Sequence, residues 1–153
     1  MNGGFKSYEG EAPYIFISYA HKDNQQALPL LEAISRAGYR LWYDSDIRFG
    51  KQWADSLARH IGKCAVFMPL LSPAFANSPD CYDETMYARS KKKAIVPVCL
   101  QEVELPAGLE MTLHPVQWLR LSDYRDAEAF ALTLDMEPAC APCKETRSQE
   151  AAS

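Results

Sequence analysis

Runs of apolar residues alternate with helical periodicities along this chain, and the order of these segments predicts an α/β domain. Two of the runs, PYIFISY at residues 13–19 and AVFMPLL at residues 65–71, are apolar on both faces, which is typical of buried parallel strands. The predicted strands are residues 13–19, 39–43, 65–71, 94–100 and 116–121, with Pro97 interrupting the pairing of the fourth. The predicted helices are residues 25–37, which Gly38 ends, residues 53–61, which Gly62 ends, a segment from Pro79 to about residue 90, and residues 125–134. Residues 101–114 show no clear period, and we expect them to be mostly irregular.

Five short strands that alternate with helices predict a flavodoxin-like three-layer sandwich with a five-stranded parallel sheet. Ligands of such sheets bind at the carboxyl ends of the strands, beside the point where the strand order reverses. If the first and third strands are neighbours there, a cleft lies between residues 19–22 and Ser72. The expected organisation is a flexible leader (residues 1–12), one domain (residues 13–135) and a disordered tail (residues 136–153) of polar and proline-containing composition.

The stretch SPAFANSPDCYDETMYA at residues 72–88 carries the strongest candidate for chemistry. Its two Ser-Pro pairs predict helix starts, because the serine hydroxyl caps free N–H groups and proline suits the first helical position. Helical spacing then stacks Glu84 beneath Cys81 and over Tyr87 and Ala88, a mostly apolar face. Glu84 is therefore either partly buried in a cleft or, as the simpler alternative, a half-exposed surface glutamate.

Composition and charge narrow the classes of partner. The net charge is −4, and the basic run at residues 89–93 falls where the helix dipole favours cations, so no nucleic-acid partner is expected. No run of about 18 apolar residues is present and the first residues are polar, so we expect a soluble, cytoplasmic protein without membrane contact. Cys140 and Cys143 have metal-ligand spacing but no second ligand pair, so no metal site is expected.

Several motifs together resemble the Toll/interleukin-1 receptor (TIR) domain family, in its bacterial form. YIFISYAHKD at residues 14–23 resembles the first box of the family, and GYRLWYD at residues 38–44, continuing to Gly50, resembles its second strand and BB loop. LLSP at residues 70–73 and CYDE at residues 81–84 resemble the end of its third strand and a C-x-x-E motif. The resemblance covers roughly residues 13–134 in the family's order.

The resemblance implies the flavodoxin-like fold and one of two functions. Some members of the family are interaction modules, whereas enzymatic members cleave NAD+ into nicotinamide and ADP-ribose or cyclise the ADP-ribosyl product as a signal. The resemblance implies Glu84 as the catalytic residue, with NAD+ as a substrate and no cofactor. It also implies self-association through the BB loop (Asp44 to Gln52) and a role in anti-phage or effector signalling, with a downstream effector that senses the product.

Substrate contacts are expected from two sources. The resemblance places them at Ala20, His21 and Arg48, and the predicted cleft adds the candidates Tyr19, Trp42 and Ser72. Asp44 or Asp46 is a conceivable second carboxylate, although the spacing does not support it, and Asp44 is included among the candidates. Several of these have structural alternatives: an exposed loop residue for His21, a strand end for Tyr19, a core position for Trp42 and a helix cap for Ser72.

Two departures from the enzymatic pattern leave the substrate preference and the product open. Asp80 stands four residues before Glu84, where enzymatic relatives often have an aromatic residue, and Ala20-His21 stand where arginine can occur. The main alternative is a non-enzymatic TIR interaction module. A domain that binds NAD+ or a cyclic nucleotide without turnover, and a nucleoside deoxyribosyltransferase-like enzyme, are weaker alternatives.

Overall fold

The computed structural model describes residues 7–44 and 51–145, and within them a parallel sheet lies between two layers of helices. The strands are β1 (Ile15–Ser18), β2 (Leu41–Trp42), β3 (Val66–Leu71), β4 (Ala94–Ile95), β5 (Val98–Cys99) and β6 (Leu119–Arg120). The helices are α1 (Asn24–Arg36), α2 (Lys51–Lys63), α3 (Pro73–Ala76), α4 (Pro79–Ser90), α5 (Ala107–Leu113) and α6 (Ala127–Thr133). Short 3₁₀ helices cover His21–Asp23, Leu121–Asp123, Leu134–Met136 and Pro138–Cys143.

The order of the strands confirms the predicted flavodoxin-like fold. All pairs are parallel and the order is β2-β1-β3-β5-β6, with β4 also pairing with β3. β4 and β5 meet β3 in the same register, Val66 opposite Ala94 and Leu70 opposite Val98, so they form one strand that Pro97 interrupts, as the sequence predicts. Counted in this way, the sheet has five strands in the order 2-1-3-4-5, and the order reverses between β1 and β3.

Each face of the sheet buries its own hydrophobic cluster. The alternation of side chains along β1 sends Ile15 and Ile17 to the side of α1 and α6, and Phe16 to the side of α2 and α4. A third cluster around Phe75 joins α3, α4 and α5 at the end of β3. α1 ends at Arg36, two residues before the predicted stop Gly38, whose φ of 103° is one that side-chain-bearing residues rarely adopt.

Three sequence expectations are wrong in the described part of the chain. Residues 101–114 are not mostly irregular, because Ala107–Leu113 forms α5, which buries Leu109 and Leu113. Gly62 does not end α2, which continues to Lys63. The leader also has fixed contacts in part, since the Tyr8 N–H donates to the Leu41 carbonyl at 2.8 Å.

The tail expected to be disordered is packed over residues 138–145. Pro138–Cys143 is a 3₁₀ helix, and both Cys140 and Cys143 are fully buried against α1, β2 and α6. The Arg40 N–H donates to the Cys143 carbonyl at 2.9 Å, and Tyr39 forms an antiparallel bridge with Lys144. The composition of this segment indicated disorder, but its alanines, prolines and two cysteines supply enough apolar surface for it to pack against α1, β2 and α6.

Candidate active site

A cleft of about 470 Å³ opens at the carboxyl ends of β1 and β3, where the strand order reverses. This is the position at which parallel α/β sheets bind their ligands. One wall is apolar and contains Phe16, Trp53 and Leu57, while Asp44, Asp80 and Glu84 place carboxyl groups in the cleft. β1, the residues after it, and the segment from the start of α3 to the start of α4 complete the cleft with Ile17, Tyr19, Ala20, His21, Lys22, Pro73, Ala74, Asn77, Ser78 and Cys81.

Glu84 is held by the last residue of β1. The Ser18 hydroxyl donates a hydrogen bond to Glu84 Oε1 at 2.8 Å. Ser18 is two residues after Phe16 and shares its face of the sheet, the face that α4 covers. Ser78 caps α4 by accepting from the Cys81 N–H at 3.1 Å, and this cap fixes the turn of helix from which Glu84 projects. Glu84 is half-buried, but it lines the cleft and accepts a hydrogen bond from Ser18, so it is not a glutamate of the open surface, the alternative that the sequence left.

The surroundings of Glu84 favour its protonated form. Burial raises the pKa of Glu84 to about 7, the hydrogen bond from Ser18 opposes this rise, and the neighbouring Asp80, Asp44 and Asp83 add to it. Burying a carboxyl group in this way costs folding stability. Carboxyl groups with a pKa near neutrality are therefore typical of functional sites.

This cost gives a testable dependence of stability on pH. Since the pKa of Glu84 is about 7 in the fold and near 4.5 otherwise, the folded state binds more protons between these values, and the free energy of unfolding falls as pH rises through this window. Glu84→Gln removes this effect, so the variant should be more stable than the wild type at pH 8, by up to about 3 kcal/mol, and much closer to it at pH 4.5.

Urea unfolding of both proteins at pH 4.5 and pH 8 measures the difference. Glu110→Gln, the same exchange at an exposed position of α5, is the matched control and should show little difference at either pH. A stability gain in Glu84→Gln that is equal at both pH values would show that Glu84 does not titrate in this way.

The loop after β1 brings three of the predicted substrate contacts to the cleft. Tyr19, Ala20 and His21 all line it, and the rings of Tyr19 and His21 lie 5.5 Å apart. The Tyr19 hydroxyl donates to Asn24 Oδ1 at 2.7 Å, which fixes the ring at the end of the strand. His21 is half-buried, so it is not simply an exposed loop residue.

Asp44, another candidate for substrate contact, also lines the cleft. Its Oδ2 accepts a hydrogen bond from Trp53 Nε1 at 2.7 Å. This bond places an indole and a carboxylate side by side opposite α4. Trp53 was not among the predicted contacts, because its spacing with Leu57 and Ile61 indicates the buried face of a helix.

Two predicted contacts do not line the cleft. Trp42 is buried beneath it, stacked on Phe16 with ring centroids 5.0 Å apart, and its Nε1 donates to Glu9 Oε2 at 2.9 Å. Ser72 is fully buried and caps α3 by accepting from the Phe75 N–H at 3.0 Å, while its hydroxyl donates to Asp23. Both have the structural roles that were their alternatives. Arg48 lies outside the described residues.

The sequence prediction missed Ser18 and the contribution of the α4 start. Ser18 could have been found from strand alternation, since it follows Phe16 by two positions at the end of a strand beside the cleft. Asp80 entered the sequence analysis only as a departure from the aromatic residue of enzymatic relatives, yet it lines the cleft one helical turn before Glu84.

Cys81 lines the same cleft but is a poor nucleophile. Burial raises the pKa of the Cys81 thiol to about 12, and the nearby Glu84 adds to this rise, so the thiol stays protonated at neutral pH. Among the described residues, no group of three or more His, Cys, Asp or Glu side chains has the geometry to hold a metal ion.

Comparison with known families agrees with the fold and the motifs. The sequence profile of the TIR domain matches residues 15–134, which is most of the chain. The protein belongs to the TIR domain family. The match includes the hydrogen-bonded pair described above, Ser18 on β1 and Glu84 on α4, within this TIR domain.

Solved structures support the same fold at low sequence identity. The TIR domain of a Toll-related receptor from Hydra magnipapillata superposes with a TM-score of 0.60 at 20% identity, over 83% of this chain and 90% of that one. The CMP N-glycosidase from Clostridium botulinum superposes with a TM-score of 0.57 at 17% identity, over 81% of this chain and 98% of that one. A 2-desoxiribosyltransferase from Leishmania mexicana gives a TM-score of 0.50 at 16% identity, over 80% and 98% of the two chains.

These likenesses concern the fold and not the activity. A search of curated protein sequences found no match to this TIR domain. In the described part of the chain, no helix combines the length and the apolar composition needed to cross a membrane.

Proposed function

We propose that this TIR domain cleaves the nicotinamide–ribose bond of NAD+, as a glycohydrolase or an ADP-ribosyl cyclase, with Glu84 as the catalytic residue. The observation that carries this proposal is the Glu84 carboxyl group, which Ser18 orients at 2.8 Å within a cleft at the carboxyl edge of the sheet. Membership of a family with NAD+-cleaving members supports it. NAD+ is a substrate in this proposal, and no cofactor is needed.

One carboxylate is enough for this reaction. Glycosidases usually need an acid to protonate the leaving oxygen, but the nicotinamide of NAD+ is already a cation and leaves as a neutral molecule with the bonding electron pair. The ribose that remains is an oxocarbenium ion, whose positive charge the ionised Glu84 stabilises. Water then adds to the ribose carbon that carried nicotinamide and releases one proton, which gives ADP-ribose. Attack on the same carbon by the adenine ring gives the cyclic product instead.

The charge distribution in the cleft fits such a substrate. The carboxyl groups of Asp44, Asp80 and Glu84 favour the cationic nicotinamide, and the indole of Trp53 offers an aromatic surface beside them. Lys22, on the loop after β1, lines the same cleft and supplies a cation for the diphosphate. A bound cation also favours ionisation of Glu84, so binding the substrate prepares the carboxylate for the reaction.

The wider role follows from the same proposal. The activity depends on self-association through residues 44–52, and it serves anti-phage or effector signalling in the cytoplasm, where a downstream effector senses the product. Of this loop, Asp44 lies in the cleft and Lys51 begins α2, so an assembly that contacts the loop acts directly on the walls of the site.

The test is to incubate concentrated protein with NAD+ and to resolve the products by mass. Nicotinamide release that increases more than linearly with protein concentration is expected, and the mass of the co-product separates hydrolysis from cyclisation. CMP serves as a comparison substrate, because an N-glycosidase of CMP shares this fold. Cleavage of CMP but not of NAD+ would replace the proposed substrate. No cleavage of either, at high concentration and with a crowding agent, would favour the interaction module.

Ser18→Ala should move the pH dependence of the reaction. The Ser18 hydroxyl stabilises the ionised form of Glu84, so its removal should raise the pKa of Glu84 further and shift the acidic limb of the kcat/KM profile to higher pH. A pH profile of NAD+ cleavage between pH 5 and pH 9 measures this shift. A lower rate is expected at every pH, because the carboxylate also loses its orientation.

Thr85→Val is the matched control for Ser18→Ala. Thr85 is equally buried, and its hydroxyl donates to the Cys81 carbonyl at 2.8 Å, so the variant also loses one buried hydrogen bond near the site but none to Glu84. Its pH profile should coincide with that of the wild type. An equal shift in both variants would mean that Ser18 contributes only to stability.

A further inference from the structure

A second pocket lies at the opposite edge of the sheet from the cleft, where α4 ends and β4 begins. It has a volume of about 350 Å³ and is lined by the cationic side chains of Arg89, Lys92 and Lys93. Lys92 follows Glu84 by eight residues, which along a helix is about 12 Å. The pocket is therefore separate from the cleft that holds Glu84, and no lining residue is common to the two.

The cations of this pocket have no anionic partner in the described part of the chain. No carboxylate there lies within ion-pair distance of Arg89, Lys92 or Lys93, although the chain as a whole has a net charge of −4. Lys93 Nζ donates to the Gly62 carbonyl at 2.7 Å. The neighbouring Lys91 differs, because its ammonium lies over the Tyr87 ring at 5.3 Å and outside the pocket.

The backbone at Lys92 has a conformation that glycine usually adopts. Lys92 has a φ of 58°, the one positive value for a residue other than glycine in the described ranges. Its N–H donates to the Arg89 carbonyl at 2.9 Å and the Lys93 N–H donates to the Ala88 carbonyl at 3.1 Å, a helix ending in which glycine is the usual residue. The helix dipole explains why cations are found near this end, but not why lysine occupies the position that glycine fits best.

The remaining walls supply a hydroxyl and an apolar surface. Thr112 is 6% exposed and lines the pocket, and among the described residues its hydroxyl has only long contacts, 3.5 Å to Arg89 Nη1 and 3.7 Å to the Met86 sulfur. A buried hydroxyl with such contacts can still form a short hydrogen bond to a ligand. Ile95, Pro115 and Val116 form the apolar wall.

We infer that this pocket binds a small organic phosphate of about the size of a mononucleotide. Arg89, Lys92 and Lys93 hold the phosphate, Thr112 contributes a hydrogen bond, and the wall of Ile95, Pro115 and Val116 receives the base or another flat apolar group. The volume lies in the range of small-molecule sites. This inference does not depend on NAD+ cleavage, and it stands or falls separately from the role of Glu84.

Calorimetric titration of the full chain with AMP, and competition with inorganic phosphate, test the inference. Arg89→Gln and Lys92→Gly should each weaken AMP binding by about tenfold or more. Lys92→Gly should at the same time raise the melting temperature, because glycine suits the left-handed backbone, so its loss of binding cannot result from unfolding. Lys91→Ala removes the same charge one residue away, and its affinity for AMP should stay within about twofold of the wild type.

The outcomes separate a built site from general attraction to a basic surface. AMP binding that depends on Arg89 and Lys92 but not on Lys91, and that exceeds the binding of phosphate, supports the inference. It is overturned by the absence of saturable AMP binding, by equal losses in all three variants, by undiminished binding in Arg89→Gln and Lys92→Gly, or by phosphate binding as tightly as AMP. Binding of an acidic peptide in place of AMP would also overturn it, in favour of a protein contact.

Discussion

Glu84→Gln is expected to lower the rate of NAD+ cleavage by about 10²–10³-fold, with a fold that is at least as stable as the wild type. Glutamine keeps the size of the side chain, and its carbonyl can still accept the hydrogen bond from the Ser18 hydroxyl. What it removes is the negative charge that the oxocarbenium-like ribose requires. The measurement is single-turnover nicotinamide release at pH 8, where the wild-type carboxyl group, with a pKa of about 7, is mostly ionised.

The stability of the variant distinguishes loss of chemistry from loss of structure. Because burial of the ionised Glu84 destabilises the wild type at pH 8, the glutamine variant should be the more stable protein under the conditions in which it is the less active one. Glu110→Gln is again the control and should keep the wild-type rate. NAD+ cleavage that survives in Glu84→Gln would disprove the proposed mechanism, while a variant that is both inactive and less stable would leave Glu84 a structural role.

The pH dependence of the wild-type reaction follows from the same carboxyl group. The ionised form is the active one, so kcat/KM should rise with pH up to about the pKa of 7 in the free enzyme and then level off. In the complex, the cationic nicotinamide lowers the pKa of Glu84, so kcat should reach its plateau at a lower pH than kcat/KM does.

The parts of the fold that the sequence predicts are those governed by strong local signals. β1 and β3 are apolar on both faces, a pattern that is typical of buried parallel strands. The pairing of strands around them agrees with right-handed crossover connections. The starts of α3 and α4 follow from Ser72-Pro73 and Ser78-Pro79, where the serine hydroxyls do cap the helices. Local chemistry settles such features without knowledge of the rest of the chain.

The site was predictable only in part, because its geometry depends on contacts between distant segments. Helical spacing identified Glu84 as unusual, but its partner Ser18 is 66 residues earlier in the chain, and no local pattern links the two. Trp42 was misassigned because the sequence cannot say that Phe16 covers it and separates it from the cleft. Trp53 was missed because its helical spacing indicates a core residue. Its ring does pack against the core, but its N–H donates to Asp44 in the cleft.

The tail was mispredicted because the composition of a segment says nothing about the surface of the domain against which it packs. Residues 138–145 would gain little by folding alone, but α1, β2 and α6 leave a surface that Cys140 and Cys143 fill. Arg40 also holds this segment through its buried guanidinium. It is 8% exposed, and in the described residues its guanidinium donates to the Pro142 carbonyl at 2.9 Å and to the Pro13 carbonyl at 2.7 Å.

Ending the chain at Glu137 is therefore expected to destabilise the domain by about 4 kcal/mol, a large part of the stability of an ordinary domain. The truncation exposes the apolar surface beneath Cys140 and Cys143 and removes the Pro142 carbonyl from the buried guanidinium of Arg40. Urea unfolding measures the loss. A chain that ends at Glu145 keeps every described contact of the segment and is the matched control, with an unfolding midpoint close to that of the full chain.

The same truncation tests where the C-terminal boundary of the domain lies. If the truncation at Glu137 unfolds in the same urea concentration as the control, the 3₁₀ helix over Pro138–Cys143 contributes nothing, and the boundary near residue 135 that composition indicates is adequate. If the midpoint falls as expected, the cooperative unit extends to Lys144, which bridges Tyr39 and whose Nζ donates to Asp135 Oδ1 at 2.7 Å. The NAD+ assay should then use chains that include this segment, because a shorter chain would lose activity through unfolding and not through any change at Glu84.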